Sequence, residues 1–113
     1  MSSYVLSAEA QQDLEEIAAF IALDSPEAAR RVVTELLDAM QLLSEMPRIG
    51  VIRTSLAEAD VRFWVIRSRI VVYRAETNPL EVLRVLSGYR DLVALLRWVV
   101  SEDIELYRAR VAA

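Results

Sequence analysis

The chain has 113 residues, 55% of them hydrophobic, with only 2 Gly and 3 Pro, which excludes a disordered chain and predicts one domain with one core. All 13 basic residues are Arg, since Lys, His and Cys are absent, and the formal net charge is −4. These absences exclude disulfides and metal sites built from imidazole or thiolate. They leave carboxylates, Tyr and Arg for acid–base chemistry, while a metal site made of oxygen ligands stays open.

The first elements are predicted to be a short strand and a helix. Residues 4–6 are typical of a strand, and Ser7 is suited to cap a helix over residues 8–23. Asp13 is expected to face mostly outwards from this helix, and Phe20 is expected to pack in the core. The face that packs in the core is predicted from apolar spacings of three and four residues: Ala10, Leu14, Ile17, Ala18 and Ile21.

A second helix is predicted to follow after a very short connection. Ser25 can cap it, Pro26 suits its first position, and Pro47 lies just beyond its end. Such a short connection predicts an antiparallel helical hairpin. The core-facing positions of the second helix also alternate by three and four: Ala29, Val33, Leu36, Met40 and Leu43.

The second half of the chain is predicted to form strands. Residues 47–60 lose the helical period and are expected to be a surface loop. Short runs rich in Val, Ile and aromatic residues then predict an antiparallel meander of three strands, at residues 61–66, 70–74 and 80–86. Both faces of these strands are partly apolar, so the hairpin covers one face and the other requires a further element or a partner protein. A third helix from about Asp91 is a candidate for that cover, or for a homodimer contact.

The predicted fold is α+β, with a helical hairpin packed on one face of a small antiparallel sheet of three or four strands and a C-terminal helix. A single domain is expected to span residues 1–113, with residues 97–113 as a C-terminal helical extension. No signal-peptide pattern opens the chain, and no apolar run approaches the roughly 20 residues that a membrane span requires. The protein is therefore expected to be cytoplasmic and to contact no membrane.

Charge is unevenly distributed along the chain. Residues 1–47 carry 2 Arg and 9 acidic residues, whereas residues 48–97 carry 9 Arg and 5 acidic residues. This asymmetry predicts a cationic face on an otherwise acidic protein. The alternative is two solvated surfaces of opposite charge that bind nothing.

Four segments at characteristic places carry a family resemblance. They are residues 4–7 leading into Ala10, Asp13, Leu14 and Ile17; Pro26-Glu27-Ala28-Ala29; Pro47-Arg48-Ile49-Gly50; and the strands from Val61-Arg62 through Val71-Val72-Tyr73-Arg74 to Leu83-Arg84-Val85-Leu86, which continue into Ser87-Gly88-Tyr89-Arg90-Asp91-Leu92. Together they resemble the ParE/RelE superfamily of toxins. The length of the second helix and the Pro-Arg-Ile-Gly turn are more similar to the ParE branch.

The resemblance implies the toxin component of a type II toxin–antitoxin system, of the kind linked to plasmid stabilization and growth inhibition. ParE toxins inhibit DNA gyrase by binding it, and a cognate antitoxin wraps the toxin and represses their shared operon, so that operator DNA is contacted only through the antitoxin. RelE toxins instead cleave messenger RNA on the ribosome. An inactive relative that only binds an antitoxin is a further alternative. The shared fold does not discriminate between these functions.

The composition argues against the nuclease alternative. A ribosome-directed nuclease benefits from positive charge and needs a base for the 2′-hydroxyl, but this chain is acidic and has neither Lys nor His. Arg stays protonated at neutral pH and is a poor base. We therefore expect no catalytic residue and no cofactor. A nuclease site, if one exists, would consist of Arg62, Arg84, Tyr89 and Arg90.

The resemblance also implies which residues bind partners. The target-binding candidates at positions where the family places Arg are Arg62, Arg74, Arg84 and Arg90, and Arg69 is added from its place at a predicted hairpin tip. For Arg84 the alternative is an internal ion pair with an acid such as Asp91 or Glu81. For Arg69, on the predicted hairpin tip, the alternative is simple solvation.

Large aromatic side chains are the candidates for antitoxin binding. Trp64, Tyr73 and Trp98 could anchor an antitoxin segment on the apolar second face of the sheet. Burial in the core is the alternative, at least for the two tryptophans.

Overall fold

The computed structural model describes residues 3–52 and 61–88, which form five strands and two helices. The order along the chain is β1 (Tyr4–Leu6), α1 (Ala8–Ala22), α2 (Pro26–Glu45), β2 (Val51–Ile52), β3 (Val61–Ile66), β4 (Arg69–Arg74) and β5 (Leu80–Leu86). The α+β fold predicted from the sequence is confirmed. The C-terminal helix predicted from about Asp91, including residues 97–113, lies outside the described residues.

Both helices begin at the residues that the capping signals predict. The hydroxyl of Ser7 accepts a hydrogen bond from the Ala10 N–H at 3.0 Å, and the hydroxyl of Ser25 accepts one from the Ala28 N–H at 3.1 Å. Pro26 occupies the first turn of α2, where its missing N–H is not needed. The two helices pack together as a hairpin, and the predicted seams are largely buried, at Ala10, Leu14 and Ile17 in α1 and at Ala29, Leu36, Met40 and Leu43 in α2.

The sheet of the described residues has the order β1-β5-β4-β3-β2. β3, β4 and β5 form the predicted antiparallel meander, but β1 pairs with β5 in parallel, so the sheet is mixed rather than wholly antiparallel. The helical hairpin connects β1 at one edge of the sheet to β2 at the other edge, and β5 returns to pair with β1. Pairing between strands so far apart in sequence has no local signal. β2 was expected to be surface loop; its two residues pair with Phe63 and Arg62.

A bulge in β5 explains why apolar residues do not alternate strictly along that strand. Val72 pairs with Arg84 whereas Tyr73 pairs with Val82, which leaves Leu83 as an extra residue. As a result Val82 joins the core on the helical side, while Leu83 joins a second apolar cluster.

The sheet therefore buries apolar side chains on both faces, as the sequence predicts. The helical side has a core in which α1 and α2 pack against strand residues such as Val71, Tyr73 and Val82. The other cluster consists of Val61, Phe63, Ile70, Val72, Leu83 and Leu86. Neither helix of the described residues is both long and apolar enough to span a membrane.

Candidate functional site

The outer edge of β5 is satisfied by residues at the start of α1. β1 covers this edge only as far as Val82. Beyond that point the Ser7 hydroxyl donates to the Leu83 carbonyl at 2.7 Å, and the Val85 N–H donates to Oδ2 of Asp13 at 2.9 Å. Two side chains of one helix thus replace the missing neighbour strand, so this stretch of edge is not open to an added strand.

Asp13 also holds Arg84 through a bidentate ion pair. Nε of Arg84 lies 2.7 Å from Oδ2 of Asp13, and Nη2 lies 3.0 Å from Oδ1. The Asp13 side chain is 12% exposed and that of Arg84 is 33% exposed. Two parallel N–H···O bonds fix the orientation of both groups. The pair therefore positions the Arg84 guanidinium beside the end of β5.

The internal ion pair predicted for Arg84 exists, but its described partner is Asp13, which was not among the predicted acids. Glu81 instead accepts from Nε of Arg74 at 3.2 Å, and Asp91 lies outside the described residues. Asp13 was expected to face outwards from α1. It is largely covered because α1 runs alongside β5 beyond the end of β1, a placement that the helical period alone does not reveal.

A cleft of about 360 Å³ opens between α1 and the end of β5. Its walls include the Asp13–Arg84 pair, together with Glu16, Phe20 and Arg69. Nε of Arg69 is buried and has no hydrogen-bond partner among the described residues. This cleft therefore brings the side chain of one target-binding candidate, Arg69, beside another candidate, Arg84.

Phe20 lies on the surface at this cleft and is 76% exposed, so its predicted place in the core is wrong. The buried positions of α1 continue from Ile17 towards Ile21, which packs partly against the core. Phe20 lies about 100° around the helix from Ile21 and falls outside the buried stripe. Its exposure makes it a candidate contact residue that sequence reasoning missed.

A second arrangement fixes the turn that follows α2. The Tyr73 hydroxyl accepts from the Gly50 N–H at 2.9 Å and donates to the Pro47 carbonyl at 2.7 Å. Nη1 of Arg62 donates to the carbonyls of Arg48 and Gly50, at 2.6 and 3.1 Å. Side chains of β3 and β4 thus satisfy the backbone of the Pro-Arg-Ile-Gly turn.

These contacts assign several candidates to the interior. Tyr73 is fully buried, which leaves it no surface for the antitoxin contact predicted from the sequence. Arg62 is only 9% exposed, and Trp64 packs against the core on the helical side rather than on the second face of the sheet. For Trp64, the position therefore agrees better with packing in the core, which was the alternative to antitoxin binding.

The remaining candidates are dispersed or fall outside the described residues. Arg74 forms an ion pair with Glu81, and this pair lies on the other side of the β5 bulge from Arg84. Tyr89, Arg90 and Trp98 belong to the part of the chain that the structure does not describe. No group of three or more acidic side chains in residues 3–52 and 61–88 is placed to hold a metal ion.

Comparison with known proteins places this geometry in context. The family model described as "ParE toxin of type II toxin-antitoxin system, parDE" matches residues 4–92. The fold is similar to a solved structure of the chromosomal ParDE toxin–antitoxin system from P. aeruginosa, with a TM-score of 0.63, 22% sequence identity, and coverage of 79% of this chain and 98% of that chain. No curated protein matches the chain.

Proposed function

Because the chain belongs to the ParE toxin family of type II toxin–antitoxin systems, we propose that it inhibits DNA gyrase by binding it and that a cognate antitoxin neutralises it. The observation that carries the choice of binding over catalysis is the engagement of Arg62 and Arg84. These two residues are the described members of the set expected for a nuclease. Both guanidinium groups already serve the fold.

The internal contacts of Arg62 and Arg84 matter because a nuclease needs groups that are free to bind phosphate and to transfer a proton. Arg62 satisfies two backbone carbonyls while almost fully buried, and Arg84 is held by both oxygens of Asp13. Withdrawing either one would leave buried acceptors unpaired, at about 1–3 kcal/mol each. The sequence also has no His or Lys to act as the base. A surface that recognises another protein requires none of these groups to be free.

The same proposal includes the other partners. The antitoxin represses the shared operon, so operator DNA is contacted through the antitoxin, which agrees with the acidic balance of this chain. We place the protein in the cytoplasm, where gyrase acts, and assign it growth inhibition and plasmid stabilization as its biological effect. A homodimer through the C-terminal segment is compatible with this scheme.

Two assays run side by side test the proposal. Purified toxin at micromolar concentration is added to gyrase with relaxed plasmid, and separately to a translating extract with labelled messenger RNA. We expect loss of supercoiling and intact messages. The cognate antitoxin, which we expect to be encoded in a short reading frame adjacent to the toxin gene, should restore supercoiling.

Each other outcome identifies a different function. Unaffected supercoiling with cleaved messages would replace the proposal by a ribosome-dependent endoribonuclease. Neither effect, with tight binding of the adjacent protein, would identify an inactive antitoxin-binding relative.

A further inference from the structure

The cleft between α1 and β5 contains a cation whose charge is not matched by its described neighbours. Arg69 opens β4, and its Nε is buried without a hydrogen-bond partner. Both oxygens of Asp13 already accept from Arg84 and Val85. Glu35, which lines a small neighbouring pocket with Arg67 and Arg69, accepts from Nε of Arg67 at 2.9 Å. A buried donor with no acceptor is costly, and more so when it is charged.

Glu16 is the remaining acidic wall of the cleft. It is exposed, and its Oε1 accepts from Nε2 of Gln12 at 3.1 Å, one turn earlier on α1. Glu16 therefore points along the helix to another surface side chain. Within the described residues the cleft is left with an arginine that lacks an acceptor, and it is complementary to an incoming carboxylate.

The other wall of the cleft is apolar and exposed. Phe20 presents most of its ring to solvent beside Ile17, which is itself buried. An exposed aromatic ring next to an arginine is the combination in which binding energy concentrates at protein interfaces. A partner residue on this cleft would gain both apolar contact and a charge-assisted hydrogen bond.

We propose that this cleft binds a segment of the cognate antitoxin that presents an acidic side chain next to an apolar one, with the acid on Arg69 and the apolar side chain on Phe20. The inference rests on the proposed pairing with an antitoxin. The segment is recognised through its side chains, because Ser7 and Asp13 already occupy the adjacent edge of β5 and prevent strand addition there.

The test measures the affinity of the full-length toxin for the protein encoded in the adjacent short reading frame, by calorimetry at two salt concentrations. The cleft variants are Phe20→Ala and Arg69→Gln. Their matched controls are Leu23→Ala, an 83% exposed apolar residue of the same helix end, and Arg67→Gln, whose side chain is 75% exposed on the same hairpin tip. Neither control residue lines the cleft.

We expect each cleft variant to weaken binding at least about tenfold and each control to change it less than about twofold. Arg69→Gln should also reduce the salt dependence of the affinity, because it removes an ionic contact. Glu16→Gln should leave the affinity unchanged or increase it, since it removes a competing carboxylate from the cleft.

Several results would overturn the inference. If the wild type binds the adjacent protein but the cleft variants behave like their controls, the cleft is not the contact while the antitoxin pairing stands. A tenfold loss of affinity for Glu16→Gln would show that the cleft receives a basic side chain of the partner rather than an acidic one. If the losses of affinity caused by Asp91→Asn and Arg69→Gln are not additive in the double variant, Arg69 interacts with Asp91 of this chain, and the cleft belongs to the chain's own C-terminal part. No binding by the wild type would reject the pairing itself.

Discussion

The backbone of Gly50 and the side chain of Tyr73 approach so closely that no side chain fits between them. A Cβ at position 50 would lie 2.3 Å from the Tyr73 hydroxyl oxygen and 2.9 Å from two of its ring carbons. The contact is also a hydrogen bond from the Gly50 N–H, in the turn that Arg62 holds from β3. The glycine of the Pro-Arg-Ile-Gly turn is thus required by packing.

Gly50→Ala should destabilise the protein by about 1–3 kcal/mol, because the Tyr73 ring is fully buried and has no room to move away. The free energy of unfolding in urea measures this effect. Gly88→Ala is the control, since a Cβ there meets nothing within 4 Å, and its effect should stay within about 0.5 kcal/mol. Equal effects of the two substitutions would contradict this role for Gly50.

Tyr73→Phe should lower the free energy of unfolding by about 1–3 kcal/mol without changing the shape of the core. The substitution removes the hydroxyl that pairs with the Gly50 N–H and the Pro47 carbonyl, and leaves both of these backbone groups without that partner. Urea unfolding of the variant checks the value. A neutral result would show that other groups satisfy this turn.

Asp13→Ala should destabilise the fold by about 2–3 kcal/mol. It removes both acceptors of the Arg84 guanidinium and the acceptor of the Val85 N–H, although the one-third exposure of Arg84 lets water offset part of the loss. Glu15→Ala, an exposed acid of the same helix, is the matched control and should have little effect. Equal urea midpoints for both variants would rule out the proposed role of Asp13.

Substitution of Trp64 should affect the stability of the fold, whereas substitution of Phe20 should affect binding. Trp64→Ala should lower the free energy of unfolding by about 2–3 kcal/mol, because this side chain packs against the core on the helical side. Phe20→Ala should change it by less than about 0.5 kcal/mol, since the ring is mostly exposed. Thermal unfolding of the two variants distinguishes them. A Trp64→Ala protein that keeps its stability but binds the antitoxin more weakly would show that Trp64 contacts the antitoxin, as the sequence predicts.

The hairpin and the meander could be predicted because their signals are local. Ser7, Ser25 and Pro26 mark helix starts through contacts within one turn, and the apolar periods mark the buried faces. β2 was missed because two residues are too short to show a period of two. The parallel pairing of β1 with β5 joins residues far apart in sequence and has no local signature.

The candidate site was harder to predict, since it depends on which arginines the fold uses internally. Asp13 and Arg84 are 71 positions apart, and only the placement of α1 along β5 brings them together. Arg62, Arg74 and Arg84 were selected by resemblance and Arg69 by its place at a predicted hairpin tip. Neither criterion distinguishes an arginine used within the fold from one available to a partner. Phe20 was assigned to the core because it follows Ile17 at a spacing of three residues, although it lies about 100° around the helix from Ile21.

This toxin is proposed to act by binding gyrase rather than by turnover, and titration of the toxin against gyrase tests this claim. With gyrase fixed well above the dissociation constant, we expect supercoiling to fall in proportion to added toxin and to reach its minimum near a stoichiometric ratio. Added antitoxin should restore it. Undiminished supercoiling at a tenfold molar excess of folded toxin would contradict the claim.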